Sequence, residues 1–338
     1  MPKVLIIGPR YFNFISACKS GFLKHGWEVD TEEYDNPVHP FRGIWKWRHK
    51  IAHNKEIVRQ QNRVPYQPYI KSRFDDVSPD YVFVLNADML LSDTLDYFRK
   101  SSKVGIWMFD SVMTVKVSQK HIDHCDAFFC YDLEDVRWYQ SNGKKVYFLP
   151  QACDFGVYHP IPNSDKDIDI LFVGNIYTSE KRKMLLNLVA DNFSDKKVLF
   201  FGLYKPFVKN PIACIFRNRR NIFMNKNIDS TLANDYYNRT KVALNIHSEQ
   251  QKDGANPRLF EIAGTKTYQI CDANPYIENL FKNEEIGLYH NNGELISLIK
   301  KALDSDMGEK AESAYRMVLE EHSFDKRMEV VINNLSAL

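Results

Sequence analysis

The sequence predicts an α/β protein built from two doubly wound, Rossmann-like domains. Short continuous apolar runs recur along the chain and alternate with helical patterns, which is typical of parallel strands buried on both faces. The length of 338 residues is enough for two domains of ordinary size. This alternation of strand and helix patterns is interrupted once near the middle of the chain and then resumes. The interruption predicts one domain on either side of it.

The first half carries the pattern of strand followed by helix. Helices are predicted between the strands, in the stretches NFISACKSGFLKHG, DTLDYFRK and EDVRWYQSNG, and Gly26 is expected to end the first of them. The predicted strands, each a short run of apolar residues, lie at 3–8, 81–86, 103–109, 127–131 and 145–149.

The segment LPQACDFGVYHPIPNSDKD, residues 149–167, breaks this pattern. It holds three prolines and shows no clear periodicity, which is typical of a linker. We therefore expect an N-terminal domain over 1–155 and a C-terminal domain over 160–322. Two such domains in tandem would face each other across a cleft, at the strand ends where doubly wound sheets bind ligands.

The second half repeats the alternation of strands and helices. Its helical stretches are SEKRKMLLNLVA, GELISLIKKALDS and AESAYRMVLEEH, the last two clearly amphipathic. The predicted strands lie at 169–174, 197–202, 242–247 and 267–272.

Composition excludes several classes of protein. With 44% hydrophobic and 26% charged residues the chain is globular, and a net charge of +2 gives no argument for nucleic acid binding. The N-terminus lacks the pattern of a signal peptide, and no apolar run reaches the roughly 18 residues of a membrane span. The six cysteines form no C-x-x-C pair. A cytoplasmic protein with reduced cysteines is expected.

The stretch DGANPRLFE, residues 253–261, predicts a helix start. Asn256 is a favoured N-cap, and Pro257 suits the first helical position. Gly254 and Ala255 add little bulk in front of it, so an anion could approach the backbone N–H groups. A phosphate site is one interpretation, and an ordinary capped helix is the other.

A family resemblance favours the phosphate site. The segment ALNIHSEQQKDGANPRLFEIAGTKTYQICD, residues 243–272, resembles the C-terminal signature of CgeB-like (spore-maturation-type) glycosyltransferases. Residues 167–186 resemble the start of the nucleotide-binding domain in that group, and residues 147–160 look like its interdomain segment. The resemblance implies the GT-B fold, with the last helix, within 324–338, packing back onto the first domain.

The resemblance also implies roles for two acidic residues. Asp253 and Glu261 fall where retaining relatives carry two glutamates with seven residues between them. The first acid would contact hydroxyls of the donor sugar, and the second would contact the ribose of the nucleotide. A carboxylate suits a ribose diol because it accepts two hydrogen bonds. Aspartate at the first position is one methylene shorter than the family's glutamate.

The donor diphosphate is expected to meet basic residues and backbone amides. Arg182 would place a cation on it, where the leaving group gains negative charge as the glycosidic bond breaks. Arg258 would do the same, or it pairs with a structural carboxylate. A lone charge such as Arg182 is also typical of a solvated face. The remaining candidate contacts to the donor are glycines and backbone groups at Gly8, Gly174, Gly254, Ala255 and Asn256.

The function implied by the resemblance is hexosyl transfer. A sugar would pass from a nucleotide-diphosphate donor, UDP- or GDP-linked, to an acceptor hydroxyl on a glycan, a lipid-linked molecule or a protein. The C-terminal domain would bind the donor and the N-terminal domain the acceptor. Bacterial surface glycan synthesis is the expected setting, with no cofactor beyond the nucleotide sugar.

The paired acids favour a retaining mechanism, in which no protein base need be positioned for attack. An inverting mechanism would need a general base from the N-terminal domain. Asp110, after the strand GIWMF, and Asp88 are the candidates for that base, with Asp110 preferred. Either residue could instead cap a helix.

No metal site is predicted. The acidic motifs DID (167–169) and DSD (304–306) open a strand and end a helix, so both are interpreted as structural. The histidines of HIDH (121–124) lie one helical turn apart, but a third ligand is not recognisable. The single glycine of IIGPRYF (6–12) does not match a dinucleotide fingerprint.

The segment 41–63 is the most basic part of the chain and carries two tryptophans. It is either an interfacial helix that contacts anionic lipid at the inner face of the membrane, or a solvated amphipathic helix with Trp45 or Trp47 in the core.

Three alternatives to a glycosyltransferase remain open at this stage. An epimerase of the same fold would turn over a nucleotide sugar without an acceptor. A phage-type DNA glycosyltransferase would bind duplex DNA in a salt-sensitive manner, although nucleic acid is not the expected partner. A non-catalytic binding protein would hold a nucleotide and release no product.

Overall fold

A computed structural model describes residues 1–9, 13–34, 55–112, 116–204, 221–281 and 284–337, with side chains from 63 and 119 onward in the helices that begin at 55 and 116. These residues form two compact units. The first comprises Met1–Pro150 together with Phe324–Leu338, and the second comprises Gln151–Ser323.

The first unit is built around a parallel sheet. Among the described residues it has six strands in the order β2-β1-β3-β4-β5-β6, and each neighbouring pair runs parallel. The strands are β1 (Lys3–Gly8), β2 (Glu28–Glu33), β3 (Tyr81–Leu85), β4 (Lys103–Met108), β5 (Ala127–Cys130) and β6 (Tyr147–Phe148).

Helices connect these strands and cover the sheet. The last helix of the chain, α12, packs on α1 and on β4 within the first unit. Gly26, at a φ of 77°, follows α1 and ends it, as the sequence predicts. The described helices are α1 (Phe14–Lys24), α2 (Lys55–Val77), α3 (Ser92–Phe98), α4 (Lys116–His121), α5 (Leu133–Ser141) and α12 (Phe324–Ser336).

The second unit repeats this architecture with a parallel sheet in the order β11-β10-β9-β7-β8, where the chain is described. Its strands are β7 (Ile168–Val173), β8 (Val198–Phe201), β9 (Thr240–Asn245), β10 (Tyr268–Asp272) and β11 (Gly287–Tyr289). Its helices are α6 (Glu180–Asn192), α7 (Ser230–Asn238), α8 (Pro257–Gly264), α9 (Pro275–Leu280), α10 (Asn292–Leu303) and α11 (Gly308–Glu321).

The central strands of the second sheet are apolar because helices cover both of their faces. In the register of β7 and β9, Ile170 pairs with Val242 and Phe172 with Leu244, and all four side chains are buried. Full burial of one such side chain contributes about 1.5–3 kcal/mol. The predicted fold class, two parallel α/β domains, is confirmed.

The order of strands sets where each sheet can hold a ligand. In the second sheet the chain passes from β7 to β8 on one side and then returns to β9 on the other side. The carboxyl ends of β7 and β9 therefore diverge into different loops and leave a crevice at this switch point. The first sheet has the equivalent point between β1 and β3.

No helix in the described parts of the chain is both long and apolar enough to cross a bilayer. Most of the basic segment 41–63 lies outside the described residues, so its predicted contact with lipid stays a prediction.

Candidate functional site

The helix predicted from DGANPRLFE is present as α8. The side-chain oxygen of Asn256 accepts the N–H of Leu259 at 3.1 Å, and Pro257 occupies the first helical position. The apolar side chains of Leu259 and Phe260 are buried and fix this helix against the sheet. The prediction of a capped helix start is confirmed, and α8 is the next element after β9, joined to it by residues 246–256.

Arg182, in the first turn of α6, spans the switch point of the second sheet. Its Nε donates to the carbonyl of Ile246, after β9, at 2.8 Å, and its Nη1 donates to the carbonyl of Asn175, after β7, at 2.9 Å. Its guanidinium also lies 5.9 Å from the centre of the Phe172 ring. The side chain is held across the two strand ends rather than extended into solvent.

The charge of Arg182 is not neutralised by a paired acid. Within the described ranges no carboxylate lies at ion-pair distance from it. Burial lowers the pKa of Arg182, Arg258 acts in the same direction, and the more distant Asp272 and Glu249 oppose them. An arginine keeps its proton through such a shift, so a partly buried positive charge is left at the ends of β7 and β9.

The start of α6 is already occupied by an internal acid. Ser179 caps the helix by accepting the N–H of Arg182 at 3.2 Å. Glu249 accepts the hydroxyl of Ser179 at 3.0 Å and the N–H of Lys181 at 3.1 Å. The start of α8, in contrast, carries the neutral cap Asn256, so it is the better place for an anionic ligand.

Glu261 forms a buried ion pair with Arg258 one turn earlier on α8. Arg258 Nη1 contacts Glu261 Oε2 and also donates to the hydroxyl of Tyr158 at 2.7 Å. Burial raises the pKa of Glu261, and Arg258 opposes this effect. Burial lowers the pKa of Arg258, but Glu261, together with Tyr237 and Tyr158, more than offsets it, so the pKa of Arg258 is raised.

The loop before α8 is held by side chains from two neighbouring strands. Asp253 is only 6% exposed. The N–H of Asn256 donates to Nε2 of His247 at 3.2 Å, so this predicted phosphate donor is engaged within the protein. Asn274, after β10, donates to the carbonyl of Gly254 at 2.8 Å. The amides of Gly254 and Ala255 stay predicted contacts to a diphosphate.

Close backbone packing explains the glycines at the strand ends. A β-carbon on Gly174 would lie 2.9 Å from the ring of Phe172, and one on Gly8 would lie 2.8 Å from the β-carbon of Leu85. Gly202, after β8, is the most constrained. Its φ is +138°, and an added β-carbon would lie 1.8 Å from the carbonyl oxygen of Gly174.

The carboxyl edge of the first sheet holds both candidate bases. Asp110 follows β4 and is exposed as a residue, yet burial of its carboxyl group raises its pKa, and a hydrogen bond with Asn86 opposes the shift. Asn86 follows β3 in a left-handed conformation, with φ of 55°. Asp88 accepts the hydroxyl of Tyr34 at 3.1 Å.

The turn that carries Asp110 is fixed by a buried acid from α5. Asp135 accepts the hydroxyl of Ser111 at 3.0 Å and the N–H of Val112 at 3.0 Å. Burial raises the pKa of Asp135 to about 6, although both donors act to lower it. This group therefore titrates near neutral pH, next to a candidate base.

The acidic motif at the start of β7 is structural, as predicted. Asp167 accepts two hydrogen bonds from Arg239, at 2.8 and 2.9 Å, and Asp169 accepts one from Lys241 at 2.8 Å. These pairs lie at the amino end of β7, opposite the edge that holds Arg182. The histidines of HIDH diverge: His121 is buried, and His124 binds Asp96 at 2.9 Å.

Comparison with known proteins supports a single class. Residues 182–333 match a family model described as glycosyl transferase-like. Among solved structures, sucrose-phosphate synthase from Thermosynechococcus elongatus has a TM-score of 0.72 at 11% identity and covers 100% of both chains. Anabaena HepE in complex with UDP-glucose has a TM-score of 0.68 at 10% identity, again over 100% of both chains.

A trehalose-6-phosphate synthase, studied for glycosyl transfer with retention, has a TM-score of 0.67 at 9% identity over 99% of both chains. No curated protein sequence matches the chain significantly. At these identities the solved structures establish the fold, which is GT-B. The family match spans residues 182–333, which include Arg182 and α8, and it confirms the predicted class of enzyme, a glycosyltransferase.

Sequence reasoning did not identify several polar residues at the site. His247 and Asp272 lie at the carboxyl ends of β9 and β10, and Asn274 follows directly. Lys181, directly before Arg182 in the sequence, is a further one. A signal was present, because polar residues that close apolar strands, as in NIH and ICD, share one edge of a parallel sheet.

Proposed function

We propose that the chain transfers a hexose from a UDP-sugar to an acceptor hydroxyl, with the donor diphosphate bound at the second unit. One observation carries this proposal: Arg182 bridges the loops after β7 and β9, and His247, next to the Ile246 that Arg182 binds, accepts the N–H of Asn256, the cap of α8. A fixed cation and a helix N-terminus with a neutral cap together form a site for two adjacent phosphates.

The same arrangement supplies the chemistry. The leaving UDP gains negative charge as the bond from the sugar to the diphosphate breaks. Arg182 is already oriented by two carbonyls, so it stabilises that charge without reorganising. Its partly buried position strengthens the interaction relative to water.

The acids around α8 would hold the rest of the donor. Glu261, fixed by Arg258 and Tyr158, is proposed to accept the ribose hydroxyls, and Asp253 is proposed to contact the sugar. Asp253 and Glu261 keep the spacing of the paired acids of retaining relatives. Retention, with UDP preferred over GDP, is the form of the reaction that we propose, and membership of the CgeB-like group is part of the same proposal.

The acceptor is proposed to bind the first unit, and a glycan, a lipid-linked molecule or a protein would supply its hydroxyl. The reaction is proposed to need no divalent metal. Activity that survives excess EDTA would support this point, whereas activity restored only by Mg²⁺ or Mn²⁺ would contradict it. A cytoplasmic location, with contact to the inner face of the membrane through 41–63, belongs to the proposal as well.

A thermal-shift panel of UDP-, GDP-, dTDP- and CMP-sugars tests the donor site. Ligand binding to the folded state raises the melting temperature, so the UDP-sugars should stabilise the protein most. The shift should vanish in Arg182→Met and shrink in Glu261→Gln. Arg239→Met is the matched control, because Arg239 pairs with Asp167 at the opposite edge of the same sheet. An equal loss in all three variants would contradict the site.

Product analysis tests the reaction. Release of UDP should require an acceptor, and the anomeric configuration of the product, measured by NMR, should match that of the donor. Turnover of the donor sugar without an acceptor would favour an epimerase. Binding without release of UDP in any acceptor screen would favour a non-catalytic protein.

A further inference from the structure

A buried hydrogen-bonded chain runs across the carboxyl ends of β9 and β10. Lys181 Nζ donates to Asp272 Oδ2 at 2.6 Å. Asp272 Oδ1 accepts the backbone N–H of His247 at 2.8 Å and is 2.9 Å from its Nδ1. His247 Nε2 then accepts the N–H of Asn256 at 3.2 Å. The chain connects the start of α6 to the start of α8.

These contacts determine which nitrogen of His247 carries the proton. A backbone N–H can only donate, so Nε2 must present its lone pair to Asn256. Nδ1 then carries the hydrogen and donates to Asp272, a carboxylate that accepts it. The histidine is thus neutral in this arrangement, and at 1% exposure its side chain is fixed between the two partners.

Asp272 is the charged member that orients the histidine. Burial raises the pKa of Asp272, but the hydrogen bonds from His247 and Lys181 and the charge of the Lys181 ammonium oppose burial, and the pKa lies below its ordinary value. The carboxylate is therefore ionised, and its charge is balanced by Lys181. Breaking this pair from one side would leave an uncompensated buried charge.

A second contact sets the direction of the peptide group that joins Gly254 to Ala255. Asn274 donates to the carbonyl of Gly254 at 2.8 Å, and Asn274 is itself fixed as the cap of α9. In a trans peptide the N–H points opposite to the C=O, and the peptide N–H here belongs to Ala255. Asn274 therefore directs the Ala255 N–H away from itself, while His247 engages the next N–H, that of Asn256.

We propose that His247 and Asp272 are positioning residues for the donor diphosphate. They hold the loop from Asp253 to Asn256 in one conformation relative to Arg182, which binds the carbonyl of Ile246, the residue before His247. The Asn256 N–H is then engaged by His247 and is not a donor to the phosphates. The inference rests on the proposed binding of UDP at this site.

The hydrogen bonds of His247 and Asp272 argue against a bound metal ion at these residues. His247, Asp272 and Cys271 bring potential ligand atoms within 4.8 Å of one another. Nδ1 and Nε2 of the imidazole both have hydrogen-bond partners, and burial raises the pKa of the Cys271 thiol well above its ordinary value. The ammonium of Lys181 also lies against Asp272. These contacts favour the hydrogen-bonded chain over a cation.

Two substitutions at one position separate the two bonds of the histidine. The amide of His247→Gln reaches the place of Nε2 and keeps an acceptor for the Asn256 N–H. The amide of His247→Asn reaches only the place of Nδ1, so it keeps the bond to Asp272 and leaves the Asn256 N–H without its acceptor. We expect the Kd for UDP, measured by calorimetry, to rise about tenfold in His247→Asn and less than threefold in His247→Gln.

The matched controls are His290→Asn and His290→Gln, because His290 also follows a strand and contacts carboxylates but is exposed. Neither should change the Kd for UDP. Asp272→Asn removes the negative charge that Lys181 balances and replaces one of the two acceptor oxygens by a donor, with little change in volume, and it should raise the Kd as His247→Asn does.

Melting temperatures of all variants distinguish positioning from loss of folding. Equal effects of His247→Asn and His247→Gln on the Kd for UDP, in step with equal losses of melting temperature, would overturn the positioning role while leaving the donor site in place. A Kd unchanged in both variants would overturn it too. Failure of the wild-type protein to bind UDP would overturn the proposed donor, and this inference with it.

Discussion

The carboxyl edges of the two sheets share a topology and differ in how their charged side chains are paired. In the second sheet Lys181 pairs with Asp272 and Arg258 with Glu261. The guanidinium of Arg182, among the described residues, instead donates to two backbone carbonyls. In the first sheet the corresponding edge carries Asp88 and Asp110. Both edges lie at a switch point where parallel strands diverge.

The difference shows that the fold supplies the place and the side chains supply the chemistry. An arginine without a paired carboxylate is suited to a nucleoside diphosphate, whereas an acidic edge is suited to an acceptor hydroxyl. Under the proposed function, a few polar residues at strand ends would specialise the same backbone arrangement for the donor in one unit and for the acceptor in the other.

The largest predicted effect is on the free energy of unfolding, and it comes from substitution of the glycines at the strand ends of the two sheets. In Gly202→Ala the β-carbon would lie 1.8 Å from the carbonyl oxygen of Gly174, at a φ that L residues rarely adopt. We expect a loss of about 4 kcal/mol or more in the free energy of unfolding. Gly8→Ala meets a side chain instead and should cost about 1–3 kcal/mol.

Separate probes can follow the two units during urea unfolding. All five tryptophans precede residue 151, so tryptophan fluorescence reports the first unit alone. Circular dichroism reports both units. Equal losses for Gly202→Ala and Gly8→Ala would contradict the different contacts of the two glycines.

The next largest effect should follow removal of the bridging cation. Arg182→Met should lower kcat about 100-fold or more, because one fixed group that stabilises developing charge contributes on this scale. Steady-state kinetics with the donor identified in the thermal-shift panel would measure it. Arg239→Met should leave kcat within twofold of the wild-type value, and a comparable loss there would show that cations are not specialised between the two edges of the sheet.

The acidic edge should respond to pH through Asp135. Its folded pKa of about 6 lies above the ordinary 3.8, so the folded state binds the proton more tightly than the unfolded state does. The free energy of unfolding of the first unit should therefore fall as pH rises from about 4 to 6, by about 3 kcal/mol. Fluorescence-monitored urea unfolding would show this fall, and Asp135→Asn should lack it. A parallel pH dependence in the variant would argue against Asp135 as the source.

The smallest effect is expected at Asp110. In a retaining reaction no protein base is required for attack, so Asp110→Asn should change kcat by less than about tenfold. An inverting reaction would instead lose about 10²- to 10⁴-fold. The change in kcat and the anomeric configuration of the product together decide whether Asp110 acts as a general base.

Much of this architecture is predictable because buried parallel strands leave a continuous apolar signature. The strands at β1, β3, β4 and β7 begin and end within a residue of the apolar runs that predict them. β2, with the sequence EVDTEE, was not predicted, because it lies at the edge of its sheet and needs no apolar side chains on its outer side. The full length of helix α2 was not predicted, because Pro65 and Pro68 lie inside it and proline usually ends a helix.

The site was predictable where local chemistry determines it. The cap of α8 follows from Asn256 and Pro257 alone, whereas Arg182 was predicted through the family resemblance and not from a local pattern. The bonds of His247 to Asp272 and Asn256 join residues 25 and 9 positions apart, so no local pattern contains them. Contacts of this kind depend on which strands are neighbours, which the sequence of a single chain does not specify directly.

The neutral cap of α8 has a consequence for evolution and for engineering. Aspartate at position 256 would cap a helix as well as asparagine does, and a protein selected only for thermal resistance would tolerate that exchange. It would also bring a negative charge against the incoming nucleotide and lose the amide bond to Asn245, which measures 2.7 Å. Substrate affinity and heat tolerance thus pull this one position in opposite directions, a trade-off expected wherever a helix end serves both the scaffold and a ligand.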